Sequence, residues 1–230
     1  MKNDLKVTVH EPFSPTIMET EVPKRFIDIV NNIGDEVLSD EKKSAQMDWS
    51  NHLVGKVHKE VQIPIMNKED GDYCKNVLRS VCVLYLKDLI NKKRAFIENM
   101  ILHHPTHGNL NPTQDNINIS QSWIVSQYKG EYNPWHQHSG HLSAVIYLKL
   151  PKGMNEFFDK ESKDHYPVGG AIQFMQGDKQ NLRSDTLTFR PEVGKMLIFP
   201  SWLKHSVYPF DVDGERRSMR INAYYVQKMR

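Results

Sequence analysis

The chain of 230 residues has only two cysteines, no apolar run long enough to cross a bilayer and almost no net charge, and each scarcity removes a class of protein. Cys74 and Cys82 lie eight residues apart on what reads as one helix, a rise of about 12 Å, so they cannot pair and no disulfide scaffold is available. Nowhere do about 18 apolar residues follow one another, and Met1 to His10 carries Lys2, Asp4 and Lys6 where a signal peptide needs an apolar core. A soluble, cytoplasmic protein without membrane contact is expected. Thirty Lys and Arg stand against 28 Asp and Glu, and a net charge of +2 sets up no field that would recruit nucleic acid in general. Internal repeats, low-complexity runs and flexible linkers are missing too. The 39% of apolar residues is enough for a packed core in a chain of this length, so a single domain over 1–230 is expected.

Two kinds of pattern divide the chain near Pro105. Residues 1–105 read as mainly helical supporting structure, after a short extended start around Lys6 to His10. Phe26, Ile29, Val30 and Ile33 repeat at helical spacing behind Pro23, and Gly34 is expected to stop that helix. Ser39 to Lys59 is charged and weakly periodic. A short strand is expected at Gln62 to Met66. Asp72 reads as an N-cap for the apolar stripe Leu78, Val81, Cys82, Tyr85 and Leu89, which one long or two shorter helices would fit. Residues 106–230 instead show period-two segments separated by Gly, Pro, Asn and Asp, as in an all-β sandwich or barrel. Ile117, Ile119, Trp123 and Val125 are expected on one face of the first strand. In the next, His141, Ser143, Val145 and Tyr147 alternate with Leu142, Ala144, Ile146 and Leu148. Further strands are expected at Ala171 to Met175, Thr186 to Phe189, Lys195 to Phe199, His205 to Tyr208 and Arg216 to Val226.

Histidine is what the chain has in excess, with eleven, three of them within His136 to His141. His136 and His138 are separated by one residue, so on extended backbone they point the same way. His205 follows 67 residues after His138, at the start of a distant strand. Three imidazoles so delivered would cover one face of a metal and leave the rest open; the plain alternative is a solvated histidine-rich loop. Arg216 and Ser218 come next, on a strand face that also carries Arg220 and Asn222. A guanidinium inside a barrel needs an anion, and its fork suits a carboxylate. The competing explanation is a solvated basic patch of Arg216, Arg217 and Arg220.

Taken together, residues 117–226 resemble the Fe(II)- and 2-oxoglutarate-dependent oxygenase superfamily, in particular its prolyl-hydroxylase-like branch and related bacterial and phage proteins. The resemblance implies an α+β chain with a mainly β core, a double-stranded β-helix (jelly roll) preceded by supporting helices. It implies a dioxygenase that hydroxylates an unactivated C–H of a small-molecule or peptidyl substrate, with O2 as oxidant, while 2-oxoglutarate is decarboxylated to succinate. His136 then corresponds to the first Fe(II) ligand and His205 to the distal one, Arg216 and Ser218 to the pair that receives the far carboxylate of 2-oxoglutarate, and Tyr128 and Tyr147 to tyrosines lining the co-substrate pocket. His138 departs from the pattern, standing where most members have a carboxylate, and leaves an Fe(II) site one unit more positive. His141, after the Ser139-Gly140 break, is expected as a neighbour of the site.

Two other readings compete. A cupin-type three-histidine metal enzyme fits Gly130 and His136-x-His138, but Leu142 and Ser143 occupy the expected glutamate positions, Trp202 a glycine position, and nothing in a cupin explains Arg216 and Ser218. A non-catalytic β-sandwich binding module would make the histidines incidental.

Overall fold

The computed structural model describes residues 15–52, 54–63, 69–101, 111–156 and 169–226. The extended start expected at Lys6 to His10 and most of Gln62 to Met66 lie outside these. In order, the chain forms β1 (Met18–Glu21), α1 (Lys24–Ser39), α2 (Glu41–Gln46), β2 (Lys59–Gln62), α3 (Glu69–Ile101), β3 (Ile117–Gln127), β4 (Asn133–His136), β5 (Leu142–Lys149), β6 (Ile172–Met175), β7 (Thr186–Phe189), β8 (Lys195–Pro200), β9 (Lys204–Val207) and β10 (Arg216–Tyr225). No helix among the described residues is long and apolar enough to cross a membrane.

Among the described residues, ten strands make two antiparallel sheets. The larger runs β1-β8-β5-β10-β3-β2 and the smaller β4-β9-β6-β7. From β3 onward the chain passes back and forth between them, so that eight consecutive strands sort as first-eighth-third-sixth and second-seventh-fourth-fifth. This is the jelly-roll order, in which the sheets face each other and close around an interior. β1 and β2 extend the larger sheet at its two edges. They come from the part of the chain that reads as helical, because four-residue edge strands are too short to show a period.

Each face of the larger sheet packs differently. Its outer face, with Ile124, Leu142, Ala144, Ile146, Leu148, Met219, Ile221 and Ala223, meets Phe26, Val30 and Val37 of α1 and Leu78, Cys82, Tyr85 and Leu89 of α3 in one apolar cluster. Between the sheets lies a smaller cluster around Val145, Tyr147, Phe174, Leu197, Phe199 and Val207.

Several local expectations need correction. Gly34 does not end α1 but lies buried in it: a Cβ there would sit 2.6 Å from Ile124 Cδ1 and 3.3 Å from Arg217 Nη1, so glycine permits the close approach of helix to sheet. Asp72 is no N-cap, since α3 already starts at Glu69 and runs unbroken to Ile101. Cys74 and Cys82 both lie on it, free and buried. Within the charged stretch after Ser39, Asp40 caps α2, accepting from the amides of Lys42 (2.9 Å) and Lys43 (3.1 Å).

The correction that matters most for the interior concerns β3. Its register against β10 slips between Asn222 and Ala223, which face Gln121 and Ile119 and leave Ser120 as the extra residue of a bulge. Ile117 and Ile119 therefore join the outer cluster, while Trp123, Val125 and Gln127 turn to the inside. Simple alternation put all four apolar residues on one face.

Candidate active site

Sheet pairing brings the histidines together. β4 and β9 are antiparallel neighbours and His136 stands directly opposite His205, a pairing that puts their Cβ atoms about 5 Å apart. β4 ends at His136, so strand alternation does not carry His138. Its backbone N–H instead donates to Ser201 O (2.9 Å), which ties the loop after β4 to the turn between β8 and β9 and turns the ring inward. Each histidine has a ring nitrogen within 4.8 Å of the others', and ring centroids are 4.3 to 5.1 Å apart.

The chemistry of these rings is set by burial and by one cation. Burial, then the Arg220 charge, lowers the His136 pKa to about 4 and that of His138 to about 3; burial and the two neighbouring imidazoles hold His205 well below its ordinary value. All three are neutral at pH 7. His136 Nδ1 is 2.7 Å from Pro134 O and His205 Nδ1 is 2.9 Å from Leu203 O, so in the neutral rings these nitrogens carry the proton and Nε2 keeps its lone pair. His136 Nε2 is buried without a partner. Three neutral imidazoles with ring nitrogens within 4.8 Å of one another, two of them with carbonyl-fixed tautomers, make a donor set that fits a divalent transition metal.

His141 does not belong to this group. Its Nδ1 accepts from Tyr225 N (3.1 Å) and its ring lies against Tyr224.

Arg216, Ser218, Arg220 and Asn222 occupy the inward face of β10. The notion of a solvated basic patch does not hold, because Arg216, Arg217 and Arg220 are all buried, at 0%, 3% and 4% exposure. Arg216 donates through Nη1 to Gln127 Oε1 (2.9 Å), and Gln127 in turn donates to Glu131 O. Its Nε and Nη2 have no partner; neither do Ser218 Oγ and Tyr147 OH. The Arg216 guanidinium lies 5.0 Å from the Tyr147 ring centroid. A buried cation and two buried hydroxyls left unsatisfied within one interior would each cost free energy in isolation, and a carboxylate satisfies them all. Tyr128 is placed elsewhere: 39% exposed, just past the end of β3, its ring lies edge-on to His58.

Sequence reasoning passed over Glu60 and Asn133 and left Arg220 and Gln127 without a role. Glu60 projects from β2 toward the interior beside Val125, and burial pushes its carboxyl up to about 7 against the pull of Arg220. Asn133, with its amide turned so that both of its atoms are satisfied, donates to Tyr132 O (3.1 Å) and accepts from Arg220 Nη1 (3.0 Å). Arg220 carried a signal, since it shares the parity of Arg216 and Ser218. Glu60, an isolated acid in a charged stretch, carried none.

Among solved structures, the chain is similar to a prolyl-4-hydroxylase from Pseudomonas putida (15% identity, 93% of each chain, TM-score 0.46) and to an oxidoreductase of the 2OG-Fe(II) oxygenase family from Burkholderia pseudomallei (15%, 90% of this chain and 83% of that one, 0.43). It is also similar to a viral collagen prolyl hydroxylase from Paramecium bursaria Chlorella virus-1 in its 2-oxoglutarate complex (13%, 90% and 94%, 0.43). No curated protein sequence matches the chain. The sequence model of the family described as "Putative 2OG-Fe(II) oxygenase" matches residues 121–222, a stretch that holds the three histidines, Tyr147, Arg216 and Ser218.

Proposed function

We propose that the protein is an Fe(II)- and 2-oxoglutarate-dependent dioxygenase in which His136, His138 and His205 hold the metal, and Arg216 with Ser218 and Tyr147 holds the far carboxylate of 2-oxoglutarate. The observation that carries this reading is the set of orphaned donors, Arg216 Nε and Nη2, Ser218 Oγ and Tyr147 OH, in the same interior as three neutral imidazoles. A metal-only cupin enzyme would account for the histidines and leave those donors unexplained.

When bound, iron supplies oxygen activation coupled to decarboxylation of 2-oxoglutarate, and with it hydroxylation of a C–H bond. The chain's own residues place and exclude. Pro134 O and Leu203 O fix two imidazole tautomers, and Gln127 holds Arg216 by one nitrogen, which leaves its Nε and Nη2 for a ligand. Phe174 and Phe199 pack beside His205 and keep water from that side. Trp135 and Trp202, 40% and 45% exposed, adjoin His136 and the turn that holds His138; we assign them to the substrate rim, suited to a peptidyl or amino-acid side chain. The same reading takes 1–105 as support and 106–230 as catalytic core within one domain, an arrangement supported by the apolar cluster that runs from α1 and α3 into the larger sheet.

The test is anaerobic titration of the protein with Fe(II) and 2-oxoglutarate, followed by visible absorption. A metal-to-ligand charge-transfer band should appear in the wild type and be lost in His136→Ala and His205→Ala. A wild type that binds Fe(II) without developing the band on adding 2-oxoglutarate would refute the co-substrate assignment.

A further inference from the structure

We propose that Arg220 is a second carboxylate anchor, taking the keto-side carboxylate of 2-oxoglutarate while Arg216 takes the far one. The inference rests on the reading of the interior as a 2-oxoglutarate site and assigns a residue which that reading leaves idle.

Arg220 is 4% exposed, lies on the inward face of β10, bonds Asn133 on β4, the strand that ends in His136, and stands opposite Trp123, whose ring is 5.6 Å from that of His138. Among the described residues its one hydrogen-bonding side-chain partner is the neutral amide of Asn133, 3.0 Å from Nη1. Glu60 is the acid that feels its charge, yet the two form no ion pair within contact distance and Glu60 Oε1 is itself without a partner. A guanidinium presents five donors, and the structure gives Arg220 this single contact at Nη1. Arg216, at the other end of the same strand face, has Nε and Nη2 buried without a partner.

Two buried, under-partnered guanidiniums on one face call for two negative charges. Four residues of strand separate their Cα atoms by about 13 Å, a span that two long side chains on one face and a five-carbon diacid between them can fill. The metal face supplies no anion: all three candidate ligands are neutral imidazoles, and His138 occupies the position where the resemblance leads one to expect a carboxylate. The ligand must therefore bring the charge, and Arg220 is the cation beside the histidines that receives it. Asn133 is a positioning residue that holds Arg220 through Nη1, and Glu60 is the buried acid on β2 that feels its charge. Glu60 comes from β2, outside the stretch that carries the family match, so this arrangement is a feature of the chain's supporting part.

The experiment measures binding rather than turnover, by anaerobic calorimetry on the Fe(II) protein with three ligands. 2-Oxoglutarate has both carboxylates, 2-oxopentanoate only the keto-side one, and 4-oxopentanoate only the far one. Removing Arg220 alone would strand Glu60, so the test variant is Glu60→Gln/Arg220→Met, accompanied by Arg220→Lys, with circular dichroism and Fe(II) content as controls for folding and for the metal site. The double variant should lose about 30-fold or more in affinity for 2-oxoglutarate and for 2-oxopentanoate and bind 4-oxopentanoate as the wild type does. Arg216→Met should show the reverse selectivity, and Arg220→Lys should recover part of the loss because an ammonium keeps the charge without the fork. Equal losses for all three ligands, or unchanged 2-oxopentanoate affinity, would overturn the assignment of Arg220. A wild type that binds none of the three would instead overturn the 2-oxoglutarate reading itself.

Discussion

Arg216 and Arg217 are neighbours on β10, both buried, and they live in opposite worlds. Arg217 points out of the jelly roll toward α1, where Glu215 takes its Nε and Nη2 at 2.7 and 3.0 Å, Asp35 its Nη1 at 2.8 Å, and Asn31 Oδ1 lies at 3.2 Å. Glu215 is satisfied in turn by Lys149 (3.0 Å) and Ser126 (2.8 Å). Arg216 points inward and meets only Gln127 and the face of Tyr147. A buried charge that the chain saturates by itself holds the fold together; one that it leaves half-partnered is held ready for something the chain does not contain.

Exchanging the two tests this contrast most strongly. Arg217→Met should cost about 3–5 kcal/mol of stability, because Glu215 would be left buried without its main cation, and the folded fraction should still bind 2-oxoglutarate as the wild type does. Arg216→Met should leave the denaturation midpoint unchanged or raised and reduce 2-oxoglutarate affinity by about 2–5 kcal/mol, roughly 30- to several-thousand-fold. Chemical denaturation paired with calorimetry reads both. If Arg216→Met were the more destabilising of the two, the distinction between saturated and waiting charges would be broken.

A middle-sized effect separates the faces by pH. The histidines are neutral in the folded state, with His136 and His138 near 4 and 3, whereas unfolded imidazoles take up protons below about 6.5. In that window the unfolded chain binds more protons, so stability is complete above pH 6.5 and is lost as pH falls toward 4, about 2 kcal/mol per histidine by pH 5. On the outward side, burial acts to raise the Glu215 carboxyl but hydrogen bonds from Arg217, Lys149 and Ser126 prevail, and its pKa is lowered. Its contribution is present above the ordinary carboxylate value and fades only as pH falls below it. Metal-free protein unfolded in urea at pH 7, 5.5 and 4 should therefore weaken first through the histidines, and His136→Ala should flatten the decline between 7 and 5. An unchanged slope in that variant would contradict the assignment of the window to the inward face.

The smallest expected effect is the most local. Tyr147→Phe removes one orphaned hydroxyl beside Arg216 and should weaken 2-oxoglutarate binding by about 1 kcal/mol, or several-fold, while Tyr128→Phe, changed on the surface beside His58, should alter it by less than two-fold. Competitive titration of the two variants against wild type resolves the difference, and a larger loss for Tyr128→Phe would return that residue to the pocket.

Much of this was legible in the residues because it depends on local rules. Period-two alternation located β5 through β10 with the exception of their ends, and it gave the inward set Ser143, Val145 and Tyr147 correctly, since a strand without irregularity offers only two faces. It failed on β3 because a bulge adds one residue and reverses the parity on one side of it. It missed β1, β2 and β4, four residues each, and misjudged Gly34, where the lack of a side chain serves a contact with Ile124 and Arg217 that lies far away in the chain.

By itself, the sequence determined the chemistry on offer: a chain with a packed core, eleven histidines of which three are spaced to meet, and an Arg-x-Ser on one strand face. These follow from composition and from the fixed geometry of an extended backbone. Tertiary structure decided which of those groups are buried and which are satisfied. Register set His136 opposite His205, a backbone hydrogen bond to Ser201 turned His138 inward, α1 delivered Asp35 to Arg217, and nothing comparable was delivered to Arg216. The physical reason is that desolvation and hydrogen-bond completion belong to pairs of residues brought together from distant parts of the chain, and no local window of sequence contains both members.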